Sequence, residues 1–268
     1  MAAVKSSSPA IHFRDEGSGR GIPFVFIHGW ACDSSAWRPQ VEDLKADHRC
    51  ISVDLRGRGE SAAVAPYDVF TAAADIAAVI RSLGLPPVIA VGHSLGGIVA
   101  LCLNQADPDL VTGIVTGDSP LELDAPRRWP RTAAALREAS SMEPVEAFIE
   151  GFFIESTSEA LAADVRALML TCDPEVAAGM LENGERVADA LPDLIRLADA
   201  KPFMAFWAEK PLGEPNLLRD LATFVRQEPI AGAGHFFQLE RPEITNALLR
   251  AFEDDVLTDP RLKPRLDA

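Results

Sequence analysis

At 268 residues the chain is long enough to bury a full core, and it fits one large α/β domain or a core with a modest insertion. Its 48% hydrophobic and 24% charged residues are ordinary for a globular protein, and no window approaches the ~18 apolar residues of a membrane span. A formal net charge of −15 repels nucleic-acid phosphates and anionic membrane surfaces, so neither is expected as a partner.

The opening stretch MAAVKSSSPAIHF has no apolar run long enough for a signal peptide, and the expectation is a cytoplasmic protein. Short apolar runs then alternate with helix-like segments. FVFIH (24–28) reads as a buried strand, and CISVDL (50–55) as a second, followed by the glycine-rich turn RGRGES. Over 71–85, Ile76, Val79, Ile80 and Leu83 recur at helical spacing, with Thr71 as the expected cap and Gly84 as the stop. PVIAVG (87–92) is a third strand, the segment after Ser94 is a helix ending near Pro108, and VTGIVTGD (111–118) is a fourth strand. This β–α–β–α order predicts an α/β fold with a parallel sheet and helices on both faces.

The pattern changes over 121–200, which is rich in Ala, Leu, Glu and Arg and carries five prolines that cut it into helical pieces, among them PVEAFIEGFF and SEALAADVRALML. The parallel pattern resumes with strands at 203–208 and 223–230 and a closing helix over 244–255, ahead of a polar, frayed tail at 258–268. The expected organisation is therefore a core of residues 1–120 and 201–268 with a helical cap, residues 121–200, inserted in it. Four cysteines, Cys32, Cys50, Cys102 and Cys172, form no CxxC pair and no metal-ligand cluster with histidine, which predicts reduced thiols in or near the core.

The chemistry centres on GHSLG. A G-x-S-x-G between a strand and a helix is a nucleophile elbow, which lifts the serine hydroxyl above the sheet and aims a helix N-terminus at it. Ser94 needs a base. Of five histidines, His235 in IAGAGHFFQLERPE directly follows the last predicted strand, where flanking glycines let the ring swing back over the sheet edge. His93 is expected to point away on the elbow, and His12 and His48 to lie away from the strand ends. FIHGW ends a strand at the loop expected to carry half of an oxyanion hole, with backbone N–H groups from Trp30 and Leu95. His28 is expected to brace that loop and to stand among the substrate-binding residues.

FIHGW, DLRGRGES, VGHSLGG and GAGHFFQLERPE, in that order, resemble the α/β-hydrolase superfamily over roughly 11–118 and 201–255. The resemblance implies an eight-stranded, mostly parallel sheet with a helical cap after the sixth strand, and a Ser-His-Asp triad. The usual family acid follows the seventh strand in G-x-x-D, but FMAFWAEKPLGEP has no aspartate there, only Glu209 and Glu214. Asp118 ends the preceding strand, a position some members use, so Asp118 is the expected acid and Glu209 its rival.

The cap should roof Ser94 with Trp129, Phe148, Phe152, Phe153, Leu168 and Met169, while Trp30 and Trp37 add aromatic walls from below; of these, Trp30, Trp129, Phe152 and Phe153 are the expected substrate-binding residues. Arg127, Arg128 and Arg131 are candidates to meet an anionic group at the entrance. The leading expectation is a serine hydrolase that cleaves a carboxylic ester or lactone of a small apolar or aromatic substrate through an acyl-enzyme, with no metal or organic cofactor. Thioester, amide and carbon–carbon cleavage stay open. A cofactor-free ring-opening dioxygenase of this fold is one alternative, since HGWACDSSAW and the acid at Asp118 are similar to that family, although Cys32 stands where it has a histidine. A receptor or signalling protein that keeps the triad is another. Oligomeric state is not legible in the sequence.

Overall fold

A computed structural model describes residues 10–262. The leader reading of residues 1–9 and the end of the tail, 263–268, lie outside the described residues.

The sheet is built from β1 (Phe13–Glu16), β2 (Phe24–Ile27), β3 (Cys50–Val53), β4 (Val88–His93), β5 (Val111–Gly117), β6 (Phe203–Trp207) and β7 (Arg226–Pro229). Their order is β1-β3-β2-β4-β5-β6-β7, with β1 antiparallel to β3 and every other pairing parallel. The expected eighth strand is not found among the described residues. The extra antiparallel edge strand, β1, has the polar sequence FRDE and only half-buried ends, so it carries no apolar alternation by which to read it.

Eleven α-helices complete the described chain: α1 (Arg38–Leu44), α2 (Val69–Ser82), α3 (Leu95–Ala106), α4 (Ala125–Ala139), α5 (Glu146–Glu150), α6 (Glu159–Leu170), α7 (Pro174–Leu181), α8 (Gly184–Ala198), α9 (Pro215–Leu221), α10 (Phe237–Glu240) and α11 (Pro242–Thr258). Strand residues alternate between two cores. Val25, Ile27, Ile51, Val53 and Ala90 pack under α2, α3 and α8, while Phe24, Phe26, Ile89, Val91 and Phe206 pack against α1 and α11. Trp37 is buried in the second core, beneath the sheet, and forms no wall of the cavity described below.

Helix α2 starts two residues before the expected cap. Asp68, not Thr71, caps it, accepting the Phe70 and Thr71 N–H groups on one carboxylate oxygen. Five helices, α4 to α8, fill the stretch between β5 and β6. The last of them also packs against α3, so the helical stretch is anchored in the sheet's own helix layer.

Candidate active site

Ser94 stands at the turn from β4 to α3 with φ +53° and ψ −123°, a conformation that costs a non-glycine residue about 1–3 kcal/mol. The turn is possible because Gly92 and Gly96 flank it. A Cβ at Gly92 would lie 2.1 Å from the Gly96 carbonyl oxygen, and one at Gly96 would lie 2.4 Å from that of Ile27. The Ser94 N–H donates to the Gly117 carbonyl at 2.7 Å, which ties the elbow to β5. Leu95 opens α3, so its N–H is among those a helix leaves without an internal partner.

Of the four described non-glycine residues at positive φ, three gather here: Ala31 (+57°), Ser94 (+53°) and Asp118 (+41°). Backbone strain of this kind collects at functional sites because the surrounding structure must enforce it. Asp118 follows β5, and its Oδ2 lies 2.6 Å from His235 Nδ1. Its Oδ1 accepts the N–H groups of Ala208 and Leu212 at 3.3 and 3.1 Å, so both carboxylate oxygens are engaged inside a 1% exposed residue. Glu209 and Glu214 follow β6 instead, and the Glu209 side chain is exposed.

His93 does not point away. It lies in the cavity wall with its ring 4.6 Å from that of His235, and its Nε2–H donates to the His235 carbonyl at 2.8 Å. Burial, and then the charge His235 would carry, hold His93 well below the usual histidine range, so it stays neutral. His12 also departs from expectation. It sits at the C-terminal end of β3, with Nδ1 2.8 Å from Asp54.

His28 is not in the cavity wall. Its Nδ1–H donates to the Gly29 carbonyl at 2.8 Å, and its Nε2 accepts the Leu55 N–H at 2.9 Å. Burial pushes its pKa down to about 4, so a neutral ring fastens the loop after β2 to the end of β3. Substrate contact is thereby corrected to loop support. Arg58, which sequence reasoning passed over, supports the same loop. Its guanidinium donates to the carbonyls of Ala31 and Cys32 at 2.8 Å each and to that of Leu168 in α6 at 3.3 Å. The only signal for it was its place in DLRGRGES. The Trp30 indole N–H donates to the Ala177 carbonyl of α7 at 2.9 Å, a second tie to the helical stretch.

These elements enclose a cavity of about 340 Å³. Ser94, Leu95, Trp30 and His235 line it from the sheet side; Trp129, Phe148, Phe152 and Met169 line it from the helices. Phe153 and Leu168 do not line it. Phe153 instead lies beneath the Arg166 guanidinium, 5.0 Å from it. Cys32 also lines the cavity, but burial pushes its thiol up to about 12, so it stays protonated and is no rival nucleophile. Pro120, Glu122 and Leu212 join the wall through tertiary approach, which no local pattern signals. Of the three entrance arginines only Arg128 reaches the wall, and Glu122 pairs with it at 3.2 Å; Arg127 pairs with Asp189 at 2.7 Å, and Arg131 is exposed. Among the described residues, no cluster of histidine, cysteine and carboxylate side chains is grouped to hold a metal ion, and no helix is long and apolar enough to cross a membrane.

A serine at a strained strand–helix turn, above the C-terminal edge of a mostly parallel sheet and on the same cavity as the histidine of a buried His–Asp pair, is the arrangement of a nucleophile elbow. The alpha/beta hydrolase family model matches residues 24–248, and the chain belongs to that family. A non-heme haloperoxidase of Rhodococcus erythropolis is 45% identical over a segment covering 34% of this chain and 34% of its own, so the chain spans about a third of that relative. The pimeloyl-[acyl-carrier protein] methyl ester esterase of Edwardsiella ictaluri is 28% identical over 86% of this chain and 92% of its own. Among solved structures, a thermophilic esterase from Thermogutta terrifontis aligns with a TM-score of 0.83 and 23% identity, covering 95% of this chain and 98% of that one.

Proposed function

We propose that the chain hydrolyses a carboxylic ester or lactone with a small apolar or aromatic acyl part, through an acyl-enzyme on Ser94. The observation that carries this reading is the 2.6 Å His235–Asp118 pair on the same cavity as Ser94. Asp118 engages Nδ1, which leaves Nε2 as the nitrogen that takes the Ser94 proton as Oγ attacks the carbonyl. The negative charge that develops on the carbonyl oxygen falls to the N–H groups of Trp30 and Leu95. His235 returns the proton to the departing alcohol, then deprotonates a water that attacks the acyl carbon and releases Ser94 and the acid.

Residues 121–200 act in this reading as a cap over a core of 1–120 and 201–268. The substrate is not anionic, because among the described residues the guanidinium on the wall, Arg128, is already paired with Glu122 and the chain carries −15 overall. Four free, buried thiols suit the reducing cytoplasm. Rapid mixing with neutral 4-nitrophenyl esters and aromatic lactones tests the reading. Intact mass should show an acyl adduct on wild type and none on Ser94→Ala. Turnover of these substrates at the wild-type rate by Ser94→Ala would overturn it.

A further inference from the structure

The helical stretch touches the candidate base directly. After α5 the chain leaves the helix, and residues 152–157 run beside the 232–240 loop. The Phe152 carbonyl accepts the His235 N–H at 3.0 Å, and the Phe152 ring stacks on the imidazole with centroids 4.2 Å apart and planes 24° apart. Ser156 Oγ donates to the Gly232 carbonyl at 3.4 Å, and Thr157 Oγ1 to Glu240 Oε2 at 3.1 Å. That same carboxylate oxygen accepts the Gly234 N–H at 3.0 Å. The two segments lie so close that a Cβ at Gly234 would come within 2.6 Å of the Phe152 carbonyl oxygen.

We propose that Phe152 is a positioning residue for His235, tying the base to the cap. The inference rests on the reading of His235 as the base of Ser94. The imidazole has Asp118 at Nδ1 and the neutral His93 ring 4.6 Å away. Phe152 supplies a stacked face at 4.2 Å. A stacked face removes ring freedom that would otherwise be lost on the way to the transition state. It also presents the negative side of its quadrupole to the imidazolium that forms as Ser94 gives up its proton. Besides Asp118 and His93, Glu240 holds the loop, and Glu122 and Arg128 stand on the cavity wall as a mutually neutralising pair.

The test compares wild type, Phe152→Leu, Phe152→Tyr and His235→Ala on 4-nitrophenyl acetate, whose acetyl group is too small to need an acyl wall. Phe152→Leu should lower kcat about tenfold with KM within about twofold, and Phe152→Tyr should restore kcat to within about twofold of wild type. Phe152→Met, which fills a similar volume without a π face, repeats the test should the leucine variant fail to fold. Wild-type kcat in Phe152→Leu or Phe152→Met, or a loss confined to KM, would overturn the proposal and leave Phe152 a wall of the cavity. Wild-type activity in His235→Ala would instead remove the base reading beneath it.

Discussion

Two histidine–carboxylate pairs of nearly equal length stand at opposite edges of the sheet. His235 Nδ1 lies 2.6 Å from Asp118 at the C-terminal edge, and His48 Nε2 lies 2.7 Å from Glu253 at the N-terminal edge, just before β3. Both rings are buried, at 5% and 4% exposure. The lower pair is a fastener. His48 spends its other nitrogen on Asp47 and packs edge-on against Phe24, while Glu253 also accepts the Ile22 N–H, so α11 is pinned to the start of β2. The upper pair faces a cavity that a serine shares, at the edge where parallel strands gather their ligands. Pair geometry is thus shared between a fastener and a candidate engine. Placement at the C-terminal strand ends, beside an open volume and a helix N-terminus, separates them.

Removing one carboxylate from each pair puts that contrast at risk. Asp118→Asn should lower kcat for ester hydrolysis by about 10⁴, the magnitude known when a triad aspartate is changed to asparagine elsewhere, because His235 then settles in the wrong tautomer. Steady-state kinetics of Glu209→Gln and Glu253→Gln should stay at the wild-type level. A large loss in Glu209→Gln with a small one in Asp118→Asn would move the acid to the next strand.

A smaller effect is expected at Arg58. Arg58→Met frees the carbonyls of Ala31 and Cys32 and so loosens the Trp30 N–H, which should cost about 10–100-fold in kcat. Arg58→Lys should recover little, since an ammonium cannot reproduce the planar fork. A loss of thermal stability in both variants with unchanged kcat would reduce Arg58 to a fastener like His48.

The smallest effect belongs to the lower pair and appears only in stability. The hydrogen bond to Glu253 raises the His48 pKa, so its contribution is present below the ordinary histidine value and is lost as pH rises through the raised one. Burial is the largest single influence on Glu253 and pushes its pKa up, but the hydrogen bonds from His48 and the Ile22 N–H, together with the His48 charge, outweigh it and lower the pKa, so the carboxylate's contribution is lost as pH falls through that lowered value. Between the two, Glu253→Gln should destabilise by about 1 kcal/mol near about pH 6 and by much less once pH has passed the raised His48 value, read from urea midpoints at each pH. An equal loss at both pH values would mean that the pair carries no charge-dependent stability.

The residues legible in the sequence were those fixed by backbone position. Ser94, Leu95 and Trp30 lie at turns that a strand, a glycine pattern and a helix announce; Asp118 directly follows the apolar strand β5, and His235 follows the last strand through a glycine-bearing turn. What stayed illegible depends on which way a side chain turns once segments meet. His28 and Phe153 face away from the cavity, Trp37 lies beneath the sheet, and His93 lies in the wall because the 235 loop folds onto it. The edge strand β1 was missed because FRDE shows no apolar period, and Arg58 because its partners are three carbonyls distant in sequence.

The most direct measurement is intact mass after exposure to a fluorophosphonate probe, on wild type, Ser94→Ala and Asp118→Asn. A serine activated through His235 and Asp118 should give one phosphonyl adduct on wild type, none on Ser94→Ala, and labelling slowed by orders of magnitude on Asp118→Asn. Folded wild type that stays unlabelled, or Ser94→Ala that labels like wild type, would contradict a nucleophilic Ser94.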